Sequence, residues 1–384
     1  MKKKFCIFSA VYLPNLGGVE RYTYNLAKQL VKNDIDVTVV TNNIFDLSDT
    51  EIIDDIRVIR LPCINLLNGR FPVPKVNRLF RSLMHVLKNE HFDFVIVQTR
   101  FYPHSVIAAR LAKKKNIPCI VIEHGTSHLS IDNRFWDKVG QIYEHAETAI
   151  LKLYCKNYYG VSKACCEWSK HFHIEPKGVL YNSVDVEAIQ KQQHDSVYEF
   201  REKYARDGTI VISFAGRLVP EKGVLQLIEA VTAVNQLGFK LKLLIAGDGP
   251  LYQDLANQNL QHAVLLGKLN FDQMIILYEA SDIFCLPSKS EGFPTTVLEA
   301  AACKCFVITT ERGGAKELIT GDEYGIIIKD NTVENIKAAI LKAMDGAYRK
   351  KATEKTYARL CESFTWEKTC ERVMQIQGKP EELK

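Results

Sequence analysis

The chain has 384 residues, 47% of them apolar and 25% charged, and its 50 Lys/Arg and 45 Asp/Glu leave a formal net charge of +5. That length suits two α/β domains better than one core. No apolar run approaches the roughly 18 to 20 residues that span a bilayer, and a modest basic excess with no RNA- or DNA-binding signature argues against nucleic acid as partner.

The opening Met1–Tyr12 mimics the charged and apolar regions of a signal peptide. Leu13-Pro14-Asn15 and Gly17-Gly18 cut the apolar part short, so a first buried strand is the better reading. Helical spacing runs from about Val19 to Asn33, and a strand follows in V-T-V-V-T. Asp34-Ile35-Asp36, the one D-x-D, falls at the helix-to-strand turn, the wrong end of a strand for a ligand. A less regular, Pro-rich stretch covers Leu61 to Pro74. From Arg70 to Lys115 ten Lys/Arg face only Glu90 and Asp93, and Val76–Lys88 places Leu79, Phe80, Leu83, Val86 and Leu87 at helical spacing. Docking on an anionic membrane and an ordinary amphipathic helix covering its own core both fit that segment.

A strand D-F-V-I-V-Q, a helix over Ser105–Lys115, a strand P-C-I-V-I-E and a helix from about Arg134 to Lys156 complete the first half. His124 ends the second of these strands, where a lone histidine ordinarily makes a structural hydrogen bond. Strands separated by helices predict parallel, doubly wound sheets with right-handed crossovers. The eleven cysteines include no C-x-x-C, and no Cys/His spacing suits zinc, which predicts free thiols in a reducing cytoplasm.

The second half, from about Asp185, repeats the alternation with a net charge of −1 against +6 for residues 1–190. Its first strand, I-V-I-S-F-A, stops at Gly216, and Arg217 and Lys222 follow before a helix opens near Gly223. Two cations at a strand's carboxyl end beside a helix N-terminus form a clamp for a diphosphate. L-L-I-A-G-D-G-P ends a further strand with Gly247 and Gly249. I-F-C-L-P then leads into S-E-G-F-P-T-T-V-L-E, with Glu291 in a strand-end loop and Glu299 about a turn into a helix. Carboxylates beside an anion site suit hydroxyls rather than phosphate, and a ligand carrying both is a nucleotide sugar. E-R-G-G-A-K-E-L places Gly313, Gly314 and Glu317 at one more strand end.

G-R-L-V-P-E-K-G, A-G-D-G-P and the glutamate pair resemble the retaining glycosyltransferases of family 4. So do Y-L-P-N-L-G-G-V-E-R (Tyr12–Arg21), E-H-G-T (Glu123–Thr126), G-V-S-K (Gly160–Lys163) and F-T-W (Phe364–Trp366), all in the family's order. The resemblance implies the GT-B fold, two doubly wound Rossmann-like domains with parallel sheets facing a central cleft. Residues 1–184 would bind the acceptor, residues 185–363 the nucleotide sugar, and a closing helix over 364–384 would pack back on the first domain. The reaction implied moves a sugar from a UDP- or GDP-type donor to a hydroxyl of a glycan or lipid-linked acceptor with retention of configuration. It would use neither metal nor separate cofactor, in the cytoplasm or on the inner face of the cell membrane.

In that scheme Arg217 and Lys222 hold the diphosphate, Glu291 binds sugar hydroxyls, Glu299 takes the ribose, and His124 faces the sugar. Gly17 and Gly18 let the backbone approach the phosphates, Gly247 and Gly249 shape the wall near the nucleotide, Gly216 is a further substrate-binding position, and Gly292, Phe293, Pro294 and Thr295 contribute mainly backbone. Arg100, Phe101, Tyr102 and His104 are the acceptor-side candidates. An epimerase of similar architecture and a non-catalytic membrane-docked scaffold remain as alternatives. A nicotinamide oxidoreductase fits poorly, because Gly247-Asp248-Gly249 is followed by Pro-Leu-Tyr and lacks the third glycine of that fingerprint.

Overall fold

The computed structural model describes residues 2–15, 17–129, 133–191, 195–205, 208–379 and 381, which leaves Leu16 and the last residues of the closing segment outside the description. The chain forms two compact units, Met1–Asn182 with Trp366–Lys384, and Ser183–Thr365.

The first unit begins with β1 (Lys4–Phe8), α1 (Gly18–Lys32) and β2 (Asp36–Asn42). β3 (Thr50–Ile53) and β4 (Ile56–Leu61) form a hairpin that strand spacing alone had not revealed. Its two turn residues, Asp54 and Asp55, both have positive φ (48° and 62°), the requirement of the tight turn that matches strand twist. The Pro-rich stretch is also more regular than expected, because β5 (Cys63–Leu66) and β6 (Phe71–Pro74) pair antiparallel. α2 (Arg78–Asn89), β7 (Phe94–Gln98), α3 (Pro103–Lys114) and β8 (Cys119–Glu123) follow. Next come α4 (Arg134–Lys152), β9 (Tyr158–Gly160), α5 (Lys163–Lys170) and β10 (Gly178–Val179). α4 stops four residues short of Lys156, since the chain turns at Leu153 to bury Cys155.

The larger sheet of this unit runs β10-β9-β8-β7-β1-β2-β4-β3, parallel except for the edge strand β3. β1, β7 and β8 are near-continuous Val, Ile and Phe because helices cover both faces, as buried parallel strands require. α2 buries Phe80, Met84 and Leu87 against the core while Val76, Leu79 and Val86 stay exposed.

The second unit opens with α6 (Val186–Gln190), α7 (Asp195–Tyr204), β11 (Ile210–Ala215), a 3-10 turn at Pro220–Lys222 and α8 (Val224–Asn235). β12 (Leu241–Ala246), α9 (Tyr252–Ala256), β13 (Ala263–Gly267), α10 (Phe271–Glu279) and β14 (Ile283–Leu286) continue the alternation. α11 (Thr295–Ala302), β15 (Phe306–Thr310), α12 (Ala315–Leu318), β16 (Ile326–Ile328), α13 (Val333–Lys342) and α14 (Gly346–Ser363) complete it. All six strands are parallel in the order β13-β12-β11-β14-β15-β16.

α15 (Trp366–Gln377) returns to the first unit, where Trp366, Cys370 and Val373 are buried in the core beside Tyr22 and Leu26. The eleven cysteines are free thiols, and burial pushes those of Cys6, Cys285 and Cys305 up, as for small apolar core residues.

Candidate active site

In the second unit, the order in which strands are added reverses between β11 and β14. Open α/β sheets bind ligands outside the carboxyl ends of strands at such a reversal. Arg217 and Lys222 leave β11 there and Glu291 leaves β14, so the structure brings the three together. Lys222 Nζ donates to Glu291 Oε1 at 2.5 Å, a pairing that the sequence had not suggested. Both side chains are partly buried, whereas Arg217 is exposed.

Two helices start at this point, α8 behind Gly223 and α11 behind Pro294, and no side chain caps either among the described residues. Their first-turn N–H groups and the positive ends of their dipoles are therefore open to an anion. Glu299 lies on the second turn of α11 and accepts the Tyr278 hydroxyl at 3.1 Å. Tyr278 is buried, and burial with the nearby Glu299 carboxylate raises its pKa well above the usual range, so it remains a donor. A signal for this tyrosine exists only in three dimensions, since it sits 21 residues earlier on α10.

The glycines of this rim are packing necessities. Gly247 (φ 138°) lies against the Gly216 carbonyl, where a Cβ would collide. Gly313 (φ 61°) presses on the Glu291 and Gly292 carbonyls, and the Gly314 amide donates to Gly292 O at 2.8 Å. The turn after β15 thus buttresses the loop that carries Glu291. The Phe293 and Pro294 side chains are buried, Phe293 against Phe364 at 5.5 Å, so these two positions offer backbone only. Glu317 is likewise buried, with its carbonyl held by Arg359 at 3.0 and 2.9 Å.

In the first unit, the reversal falls between β1 and β7. Gly17 and Gly18 lead from the β1 loop into α1, and a cavity of about 430 Å³ opens nearby, lined by Val11, Asn15, Glu20, Arg70, Phe71 and Tyr102 among others. Glu20 is a buried carboxylate that accepts from Asn15 at 3.2 Å, and burial raises its pKa. Thr99, immediately after β7, has a φ of 63°, a strained value for a β-branched residue.

His124, at the end of β8, is half-buried, with Nε2 2.7 Å from Gln98 Oε1. With that carbonyl facing it, Nε2 carries the proton and donates. Desolvation lowers the pKa of the ring to about 3, so His124 is a neutral imidazole at ordinary pH. The Tyr22 ring meets it edge-on at 4.8 Å.

Of the acceptor-side candidates, only Tyr102 lines the cavity. Arg100 and His104 are corrected by their burial. Arg100 is 1% exposed and pairs with Glu123 Oε2 at 3.0 Å and Glu144 Oε2 at 3.1 Å, with its guanidinium 3.5 Å above the Phe172 ring. Glu123 in turn accepts the backbone N–H groups of His124 and Gly125 at 3.0 and 2.9 Å. His104 is 0% exposed, lies tilted against the Phe8 ring at 5.4 Å, and donates from Nε2 to the Val40 carbonyl at 3.0 Å. The Phe101 carbonyl accepts from the Tyr143 hydroxyl at 2.9 Å.

Residues 16–188 match the model for glycosyltransferase family 4, and residues 197–359 match that for glycosyl transferases group 1. An uncharacterized glycosyltransferase of Methanocaldococcus jannaschii is 27% identical over 98% of each chain. A UDP-Gal:alpha-D-GlcNAc-diphosphoundecaprenol alpha-1,3-galactosyltransferase of Escherichia coli is 26% identical over 87% of this chain and 86% of its own. Among solved structures, HepE of Anabaena in complex with UDP superposes with a TM-score of 0.76 at 17% identity, over 99% of this chain and all of the other. The architecture is GT-B, two Rossmann-like halves with parallel sheets.

Proposed function

The chain belongs to the glycosyltransferases of group 1 and family 4, and from that premise we propose that it moves a sugar from a nucleoside-diphosphate donor to a hydroxyl of a lipid-linked glycan intermediate, retaining configuration. The observation that carries this reading is the β11/β14 reversal, with Arg217, Lys222 and Glu291 between two uncapped helix starts. The diphosphate takes the Arg217 and Lys222 charges and the first-turn amides, which are already oriented where negative charge builds on the leaving group. Glu291 is released from Lys222 to accept sugar hydroxyls, and Glu299, held by Tyr278, accepts those of the ribose. In this reading the charge is neutralised without a metal ion, and the acceptor attacks from the face that the nucleotide leaves.

The first unit supplies the acceptor side in this proposal, with Gly17, Gly18 and the cavity by Tyr102 on its β1/β7 edge and His124 as a neutral imidazole whose Nε2 proton is held by Gln98, leaving Nδ1 as an acceptor for a hydroxyl. A UDP-type donor and a lipid diphosphate acceptor are supported by the UDP held in HepE and by the E. coli relative's stated reaction. Contact with the inner face of a membrane is supported by α4, whose outer side carries Phe135 and Ile142, 68% and 72% exposed, beside Arg134 and Lys138. No helix among the described residues is long and apolar enough to cross a membrane.

The test is nucleoside diphosphate release from UDP- and GDP-sugars in excess EDTA, with and without undecaprenyl-diphosphate sugars. Acceptor-dependent release with an α-linked product is expected from an α-linked donor. Release independent of any acceptor would favour epimerase chemistry, and abolition by chelator with rescue by Mg²⁺ would overturn the metal-free clamp.

A further inference from the structure

Three histidines distant in sequence meet in the first unit. His128 lies in the loop after β8, His145 sits within α4, and His171 caps the C-terminus of α5. One nitrogen from each ring lies within 4.8 Å of the other two. His128 Nε2 and His171 Nε2 are 3.2 Å apart. Two imidazole nitrogens each about 2.0–2.1 Å from one tetrahedral zinc ion stand about 3.3–3.4 Å from each other. That pair is therefore already at ligand spacing, and a small rotation of the exposed His145 ring completes the set.

A second observation concerns the far side of His128. Its Nδ1 is 3.2 Å from Glu144 Oε2, a carboxylate only 2% exposed. Such a contact makes Nδ1 the donor and leaves the Nε2 lone pair directed at His171, which is how buried carboxylates orient metal-binding imidazoles. The rings rest on an aromatic floor. Trp168 stacks on His171 at 5.0 Å, and Phe172 lies 5.6, 4.7 and 5.0 Å from the rings of His128, His145 and His171.

We propose that His128, His145 and His171 bind one divalent transition-metal ion of the zinc class, with a remaining coordination position open to water. The ion acts as a strut. It joins α4, the end of α5 and the loop after β8, and Glu144 connects it through Arg100 to Glu123, which holds the His124 backbone. The short spacings that betray most zinc sites cannot reveal this one, since its ligands are 17 and 26 residues apart.

The test is calorimetric titration of the full chain, stripped with chelator, with Zn²⁺, and absorption with Co²⁺, whose visible bands report coordination. One site per chain is expected, with an ion-dependent rise in Tm. His145→Ala and His171→Ala should each weaken binding about 100-fold or more, since loss of an outer-shell partner alone costs about 10–100-fold. Both rings are exposed, so the variants should match the parent's Tm in chelator, and the Tm rise should vanish. Affinity should also fall as pH drops below about 6.5, where protons compete for the imidazoles. Absence of binding by the parent would overturn the proposal. So would binding and a Tm rise unchanged in both variants, which would put the ion on thiols.

Discussion

At the β11/β14 reversal Arg217 is exposed and Lys222 and Glu291 are only partly buried, whereas in the first unit Arg100 and Glu123 at strand ends, with Glu144 of α4, are withdrawn from water altogether. Two sheets that both reverse their strand order at a central pair thus use charge in opposite ways. On the second unit the charges face outward from short loops. On the first they form a buried brace that holds the backbone after β8, and the open cavity is left to Val11, Phe71 and Tyr102 with the exposed Arg70 and the buried carboxylate of Glu20. In the proposed scheme a diphosphate and a ribose present the same charge and hydroxyls whatever the sugar, so a few charged residues in local motifs would suffice for them. An acceptor site would have no such common denominator and would be assembled from segments far apart in the chain.

The contrast can be broken first through Arg100. Arg100→Met leaves Glu123 and Glu144 buried without their cation, and the expected loss is about 3–5 kcal/mol of stability, read as a fall in the denaturant midpoint. A change under about 1 kcal/mol would mean that this network is not a brace. On the outward-facing side, Lys222→Ala and Arg217→Ala should leave the Tm almost unchanged and lower kcat/KM about 10²-fold or more, since a contact made to the leaving group is worth roughly 2.7–4 kcal/mol. Near-normal turnover of either variant would remove its clamp role.

Buried His104 gives the first unit a pH dependence that the second unit's site should not share. Its folded pKa is depressed by burial to about 4 from 6.5. Below about pH 6.5 the unfolded chain takes up a proton that the folded chain refuses, so stability rises with pH across this window and is lost on acidification. By pH 4 the loss approaches about 3 kcal/mol. His104→Gln, which can still donate to the Val40 carbonyl, should reduce the slope of the unfolding free energy between those pH values by about half, leaving the share of the likewise depressed His124; an unaltered slope would assign it to other groups.

Smaller effects separate the two glutamates. Glu291→Gln should act on kcat, because the sugar contacts proposed for it would matter most in the transition state. Glu299→Gln should weaken free nucleoside diphosphate by about 10-fold and appear in KM, a difference that calorimetric titration of both variants resolves. Equal weakening by the two would erase the distinction. Least of all in stability terms, Phe135→Ser and Ile142→Asn on α4 should shift folding by no more than about 0.5 kcal/mol. They should nevertheless reduce cosedimentation with anionic vesicles, and unchanged cosedimentation would move the membrane contact elsewhere.

What could be read from the chain follows the same division. The strand-end positions of Arg217, Lys222 and Glu291, and that of Glu299 on the helix after β14, were legible because strand, glycine and helix start fall in short runs. The Lys222–Glu291 contact, 69 residues apart, and the Tyr278 hydroxyl on Glu299 were not, for they depend on which strands become neighbours. In the first unit strand-end position misled: Arg100 and His104 follow β7 as ligand residues would, yet Glu123 and Glu144 turn one inward and the Val40 carbonyl holds the other. Local turn chemistry did hold a usable signal in Asp54-Asp55, flanked by isoleucines, which marks the β3–β4 hairpin.

The placement of α15 carries a consequence for biosynthesis. Trp366 meets the Tyr22 ring at 5.1 Å, and Cys370 and Val373 fill the same core, so the first unit is completed by a helix translated only after the whole of the second unit. Ser183–Thr365 contains all of its own core strands and can close as soon as it leaves the ribosome. The usual vectorial order, in which the first-made domain folds first, is therefore inverted here. A nascent chain arrested before Trp366 would hold a finished second unit behind a first unit with an open hydrophobic seam, a prime substrate for chaperones during translation.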